Sequence, residues 1–176
     1  MIDSEFEMFN LNIKPILIKL GYKITNFKKS IEKENYEACS FMLNLTSVIC
    51  RTAKLTPKKQ GQFVAIWKRD KNNITIPYEL SDHFDFMMII VRKEDREGFF
   101  LFPKVVLYKN KIVSGEKSKG KNGIRVYPSW DQDLNKIALK TQAWQLEYFI
   151  EKKSEDNFDH IKAKRIFETK EYRSNE

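Results

Sequence analysis

The chain has 176 residues, 41% of them hydrophobic and 32% charged, and 32 Lys and Arg against 24 Asp and Glu give a net charge of +8. Such a length and apolar content suit one domain with a real core and require no second. With 2 cysteines and no CxxC pair, a disulfide framework or zinc site is not expected, and no apolar run reaches the roughly 18 to 20 residues of a membrane span.

At the amino terminus, MIDSEFEMF is acidic where a signal peptide is basic, which predicts a cytoplasmic protein. Ser4 and Glu7 have capping-box spacing, and Phe6, Phe9, Ile13, Ile16, Leu17 and Leu20 recur at helical intervals. A helix is therefore expected over 3–20, kinked or split at Pro15 and stopped at Gly21. Over 36–128 the pattern changes to short apolar runs bounded by polar turns, and 39–45, 48–51, 62–68, 84–91 and 99–102 read as strands. Cys39 and Cys50 lie in such apolar runs and read as reduced core thiols.

In the run FDFMMIIV nearly every position is apolar, which predicts a central strand covered on both faces, with Asp85 the exception near its start. The charged link RKEDREG predicts a hairpin return through GFFLFPK, ended by Pro103 because proline cannot donate to a sheet ladder. A Lys/Gly/Ser-rich loop, SGEKSKGKNG, leads into a short strand, IRVYP. Over 133–150, Leu134, Ile137, Ala138, Thr141, Trp144 and Tyr148 share one helical face, while Leu139, Ala143, Leu146 and Phe149 share another. This predicts a helix sandwiched against the sheet, with Trp144 in the core. The charged tail 151–176 has Ile161, Ile166 and Phe167 as apolar anchors, enough for a final docked element. The expected fold is a single α/β (α+β) domain over 1–176, a central mixed sheet flanked by an N-terminal and a C-terminal helix.

The positive charge is concentrated. Residues 51–70 carry six bases against one acid and 104–125 carry seven against one, while 1–50 and 151–176 are neutral. Two such segments can steer a polyanion, and each phosphate contacted adds counterion release, so nucleic acid is the leading partner. A small anionic ligand or a protein partner is the alternative. Lys54, Lys58, Lys59, Lys119 and Lys121 can hold phosphates as point charges, and Arg51, Arg69 and Arg125 can fork to them or stack. Gln62, Gln142 and Gln145 can reach adenine edges or cap buried backbone, and Trp67 and Trp130 can stack on unpaired bases. His83 and His160 sit in unrelated contexts, which gives histidine chemistry little support. GEKSKGKNG has the spacing of a Walker loop but carries Asn122 where Ser or Thr is needed, which disfavours nucleotide hydrolysis.

Five motifs in order, RTAKLTPKKQGQFVAIWKR, DHFDFMMIIV, GFFLFPK, GIRVYPSW and KTQAWQLEYF, resemble the MepB-like family over 36–150. The resemblance implies a restriction-endonuclease-like core, a DNA-binding role and no settled reaction. It implies a functional surface that includes Arg51, Lys54, Lys58, Lys59, Gln62, Trp67, Arg69, Asp85, Lys104, Arg125, Gln142 and Gln145. A nuclease of the restriction class uses two carboxylates on Mg²⁺ and a nearby lysine. Asp85, as metal ligand, and Lys104 have suitable places, but Phe102 and Pro103 stand where an acid-any-lysine tripeptide would put the second acid. Glu79, Asp82 or Glu34 would have to substitute. In the alternative, Asp85 pairs with Lys104 or caps the strand entrance by accepting a backbone hydrogen bond. The reading is a nucleic-acid binder, DNA favoured, on a degenerate nuclease scaffold. A metal-dependent nuclease is the alternative, and no cofactor is expected unless Mg²⁺ serves that nuclease.

Overall fold

Successive residues of a strand face opposite ways, and along Phe86–Lys93 this sends Phe86, Met88 and Ile90 to one side and Met87, Ile89 and Val91 to the other. All six are at most 1% exposed, so both faces of the strand must be covered. The computed structural model, which describes residues 8–30, 36–116, 118–154 and 157–169, shows how. Its strands are β1 (Ile24–Lys29), β2 (Cys39–Leu43), β3 (Thr46–Thr52), β4 (Lys54–Thr56), β5 (Lys59–Ala65), β6 (Trp67–Arg69), β7 (Thr75–Pro77), β8 (Phe86–Lys93), β9 (Arg96–Pro103), β10 (Gly123–Val126) and β11 (Phe149–Lys152). The helices are α1 (Lys14–Lys19), α2 (Lys104–Lys109), α3 (Lys136–Gln145) and α4 (His160–Glu168).

Six strands form the main sheet in the order β1-β2-β3-β8-β9-β11. Its neighbours are antiparallel except for β3 and β8, which run parallel, so the sheet is mixed as expected. A three-stranded sheet, β10-β5-β4, and the pair β6-β7 complete the architecture. One face of the main sheet is covered by the N-terminal element and α4, whose Phe9, Ile13, Ile16, Leu17, Ile166 and Phe167 pack on Phe86, Met88 and Ile90. Pro15 falls in the first turn of α1, where a missing N–H leaves no bond broken, and a wider π-helical turn, Phe9–Ile13, precedes it. The Ser4–Glu7 capping box lies outside the described residues. The opposite face is covered by the three-stranded sheet and α2, through Val64, Ile66, Leu107, Ile112, Ile124 and Val126.

The 133–150 helix needs correction. α3 ends at Gln145, a 3₁₀ turn spans Leu146–Tyr148, and Phe149–Lys152 pairs with β9 at the edge of the main sheet. Phe149 and Ile150 are 5% and 0% exposed and join opposite core layers, so the sheet buries what a longer helix could not. Nor is α3 sandwiched: Ile137 is 81% exposed and Leu139 50%, because the three-stranded sheet already occupies the place beside β8 and β9. Trp144 is half-buried, with its ring 5.2 Å from that of Phe102. The strand expected over 39–45 stops at Leu43, where Asn44 at φ 54° opens a two-residue hairpin to β3. That hairpin sets Cys39 opposite Cys50, both buried and unbridged.

Candidate functional site

In the three-stranded sheet, β5 and β10 pair antiparallel with Phe63 opposite Arg125 and Gln62 opposite Val126. Alternation then turns Gln62, Val64, Ile124 and Val126 into the core. It turns Phe63, Arg125 and Tyr127 outward, where all three are half-buried. Two glycines make room for the rings. A Cβ on Gly123 would sit 2.6 Å from Phe63 Cζ, and one on Gly61, whose φ is +75°, would sit 2.5 Å from Tyr127 Cε1. Thr141, Trp144 and Gln145 of α3 face this surface, Asn110 and Ile112 close it beyond α2, and Lys59 and Lys121 complete a groove of about 770 Å³. The two basic segments therefore meet, Lys59 coming from the first and Lys121 and Arg125 from the second.

Arg125 is held from within. Its Nη1 donates to the carbonyls of Gln60 and Gly61 at 3.1 and 3.2 Å, and Nη2 donates to Thr56 Oγ1 at 2.6 Å. Gln145, 1% exposed, accepts from the Tyr127 amide through Oε1 and donates to the Arg125 carbonyl through Nε2, both at 2.9 Å. It fastens α3 to β10. Gln142 Nε2 likewise donates to the carbonyls of Pro128 and Asp131 at 2.9 and 3.0 Å. Lys54 lies over the Tyr36 ring, 5.3 Å from its centroid, and that ring meets Phe63 edge-on at 6.4 Å. Lys58 is exposed in the turn between β4 and β5.

Other expected contacts fall elsewhere. Arg51, 3% exposed, donates to the Cys50 carbonyl at 2.7 Å and to the Tyr78 hydroxyl at 2.9 Å. Gln62, 1% exposed, donates to the Arg92 carbonyl at 3.2 Å. Both point into the core, so neither reaches a surface ligand. Trp130 is buried too, edge-on to Phe149 and covered by the Arg96 guanidinium 4.9 Å from its ring. Trp67 and Arg69 stack on each other at 4.7 Å on β6, outside the groove lining, and Arg69 Nη1 donates to Thr75 Oγ1 at 2.8 Å. Lys119 is exposed beside Glu79 and Glu116 in a second, shallower depression.

Asp85 stands just ahead of β8. Its amide donates to the Ser47 carbonyl at 2.9 Å and its Oδ2 accepts from the Ser47 amide at 2.8 Å, closing the entrance of the parallel β3–β8 pair. The Lys104 amide donates to the Asp85 carbonyl at 2.9 Å, while its Nζ donates to the Asp82 carbonyl at 2.8 Å and lies 5.4 Å from the Phe84 ring centroid. Burial pulls the Lys104 ammonium below the usual lysine range, and the charges of Asp85 and Asp82 partly hold it up. Asp82 and Glu79 are committed to Lys68, whose Nζ lies 2.5 and 2.7 Å from their oxygens. Burial lowers the Lys68 pKa, but these two carboxylates outweigh it and leave the ammonium above its ordinary value. Asp82 Oδ2 also accepts from the Glu79 amide at 2.7 Å. Among the described residues no three Asp, Glu, His or Cys side chains gather to hold a metal, and Glu34 lies outside them. With Asp85 bonded to the Ser47 amide and Asp82 and Glu79 turned to Lys68, these carboxylates offer Mg²⁺ no shared set of oxygens.

Sequence reasoning missed Phe63, Tyr127, Asn110 and Thr141, all in the groove wall. The signal for the two rings was the pair Gly61 and Gly123, each of which meets an aromatic across the ladder.

Fold and groove together define a single-domain α+β protein with a mixed six-stranded sheet that carries, on a smaller sheet, a cationic groove walled by aromatic rings. The MepB-like family matches residues 30–151, and the chain belongs to that family. It is similar to the solved crystal structure of MepB, at 34% identity over 88% of this chain and 99% of that one, with a TM-score of 0.73. A bacterial homing endonuclease, I-Ssp6803I, aligns over 74% of this chain and 82% of its own at 19% identity, with a TM-score of 0.42, a likeness too slight to argue from. No curated protein matches the chain.

Proposed function

We propose that the protein binds nucleic acid, DNA in the first place, in the groove between the three-stranded sheet and α3. The observation that carries this reading is the meeting of Lys59, Lys121 and Arg125 with Phe63, Tyr127 and Trp144 in one groove. Ammonium groups draw phosphates, and ring faces accept sugars and bases. Basic side chains continue past the groove, with Lys58 in the β4–β5 turn and Lys54 over Tyr36. A small anionic ligand would leave these unused, whereas a polymer spans them. We read the scaffold as one that binds without cutting, since Asp82 and Glu79 neutralise Lys68 and Asp85 braces Ser47.

The test is fluorescence anisotropy of labelled single- and double-stranded DNA and RNA across a salt series, with and without Mg²⁺ or Mn²⁺, followed by a gel of the same samples. Affinity that falls steeply with salt, with the strands left intact, is the expected result. A shallow salt dependence would turn the reading toward a small anionic ligand, and metal-dependent cleavage would restore the nuclease. Binding no tighter than that of an unrelated protein of equal charge would sink the proposal.

A further inference from the structure

We infer that the groove takes nucleic acid without reading its base sequence; the inference rests on the nucleic-acid reading of that groove and concerns what its side chains can distinguish. Direct readout needs paired donors and acceptors aimed at a base edge, a guanidinium for guanine or an amide for adenine, and each such pair discriminates by about 5- to 150-fold. The groove contains one guanidinium and two amides. Arg125 directs three of its five N–H donors inward, from both terminal nitrogens, to Gln60, Gly61 and Thr56, which closes the end-on fork of Nη1 and Nη2. Gln145 has both amide atoms on the backbone of β10 and Tyr127. Asn110 donates through Nδ2 to the Val106 carbonyl at 2.9 Å, which removes the donor half of an adenine contact.

The two threonine hydroxyls are engaged in the same way. Thr56 Oγ1 accepts from Arg125, and Thr141 Oγ1 donates to the Ile137 carbonyl at 3.1 Å. Of the glutamines expected to reach adenine outside the groove, Gln62 is buried in the core and Gln142 is spent on Pro128 and Asp131. What the groove presents is thus led by the ammonium groups of Lys59 and Lys121 and the faces of Phe63, Tyr127 and Trp144, and the Tyr127 hydroxyl, Trp144 Nε1 and Asn110 Oδ1 add single polar atoms rather than donor–acceptor pairs. An ammonium is a point charge without a fork, and every base has a π-face. Neither reports which base is present.

The experiment uses the full chain and labelled oligomers of about 20 bases that share one composition in scrambled order, as single strands and as duplexes, beside a selection from a random-sequence pool. The expected result is dissociation constants within about 3-fold across each scrambled set, well below the 5-fold floor of a single base pair read directly, and a pool that yields no motif. A recurring motif, or a spread above about 5-fold within a set, overturns the inference while leaving nucleic-acid binding in place. Absence of salt-sensitive binding to every oligomer removes the underlying reading, and the inference with it.

Discussion

The Asp85 carboxylate accepts from the Ser47 amide at 2.8 Å, and that bond gives the residue a structural job at a position where a nuclease would want a metal ligand. Asp85→Ala leaves a half-buried N–H without its acceptor, at a cost of about 1–3 kcal/mol. Asp85→Asn keeps an oxygen in place and costs less. Both variants are expected to bind nucleic acid as the parent does; urea melts and anisotropy on the same samples check this, and a large affinity loss in a folded Asn variant would return Asp85 to the binding site. Asp131 is 5% exposed, with Oδ1 3.6 Å from Lys93 Nζ and Oδ2 without a partner among the described residues. Burial raises its pKa, and Lys93 opposes the rise. The folded carboxyl thus holds its proton above the unfolded value of about 3.9, so its stabilisation is complete below that value and is lost as pH rises through the folded one. Asp131→Asn is expected to gain on the parent across that window. Parallel urea midpoints against pH for the two proteins would rule this out.

Among the elements, the β5–β10 ribbon is the one whose shape the groove needs. Gly61 and Gly21 both have left-handed φ, +75° and +85°, but a Cβ on Gly61 meets the Tyr127 ring at 2.5 Å while one on Gly21 meets nothing within 4 Å. Alanine at either site is expected to lose about 1–2 kcal/mol from the backbone. Only Gly61→Ala must also displace Tyr127, so it alone is expected to weaken binding, by severalfold, in the anisotropy assay. Equal affinities for the two variants would detach Tyr127 from the interface. Elements were legible where one local pattern prevailed. β8 reads directly because six consecutive apolar residues leave no amphipathic alternative. α2 was missed because Pro103 ends a strand and, in extended conformation at φ −60° and ψ 141°, also begins a helix. The C-terminal end of α3 was overextended because Phe149 fits a helical stripe as well as it fits β11, and only the open edge of β9 decides between them.

At the scale of the whole molecule the field of +8 and the groove act together. Replacing Lys58 and Lys59 with Ala is expected to weaken binding across sequences and to lower the slope of log K against log salt by about two, near 0.9 per duplex phosphate released. An unchanged slope would take those lysines out of the interface. The charge segments, the two-faced central strand and the mixed α+β class were determined by the sequence itself, since charge and hydrophobic period are sums over neighbours in the chain. Which side chains share the groove was decided only by the tertiary structure. Gln62 faces the core and Phe63 the groove because β5 pairs with β10 in one register, and a slip of one residue would exchange them. The same pairing set Lys59 toward one end of the groove and Lys121 toward the other, and Arg125 and Gln145 are spent on the protein's own backbone. Such contacts join segments far apart in the chain, so no local window contains them.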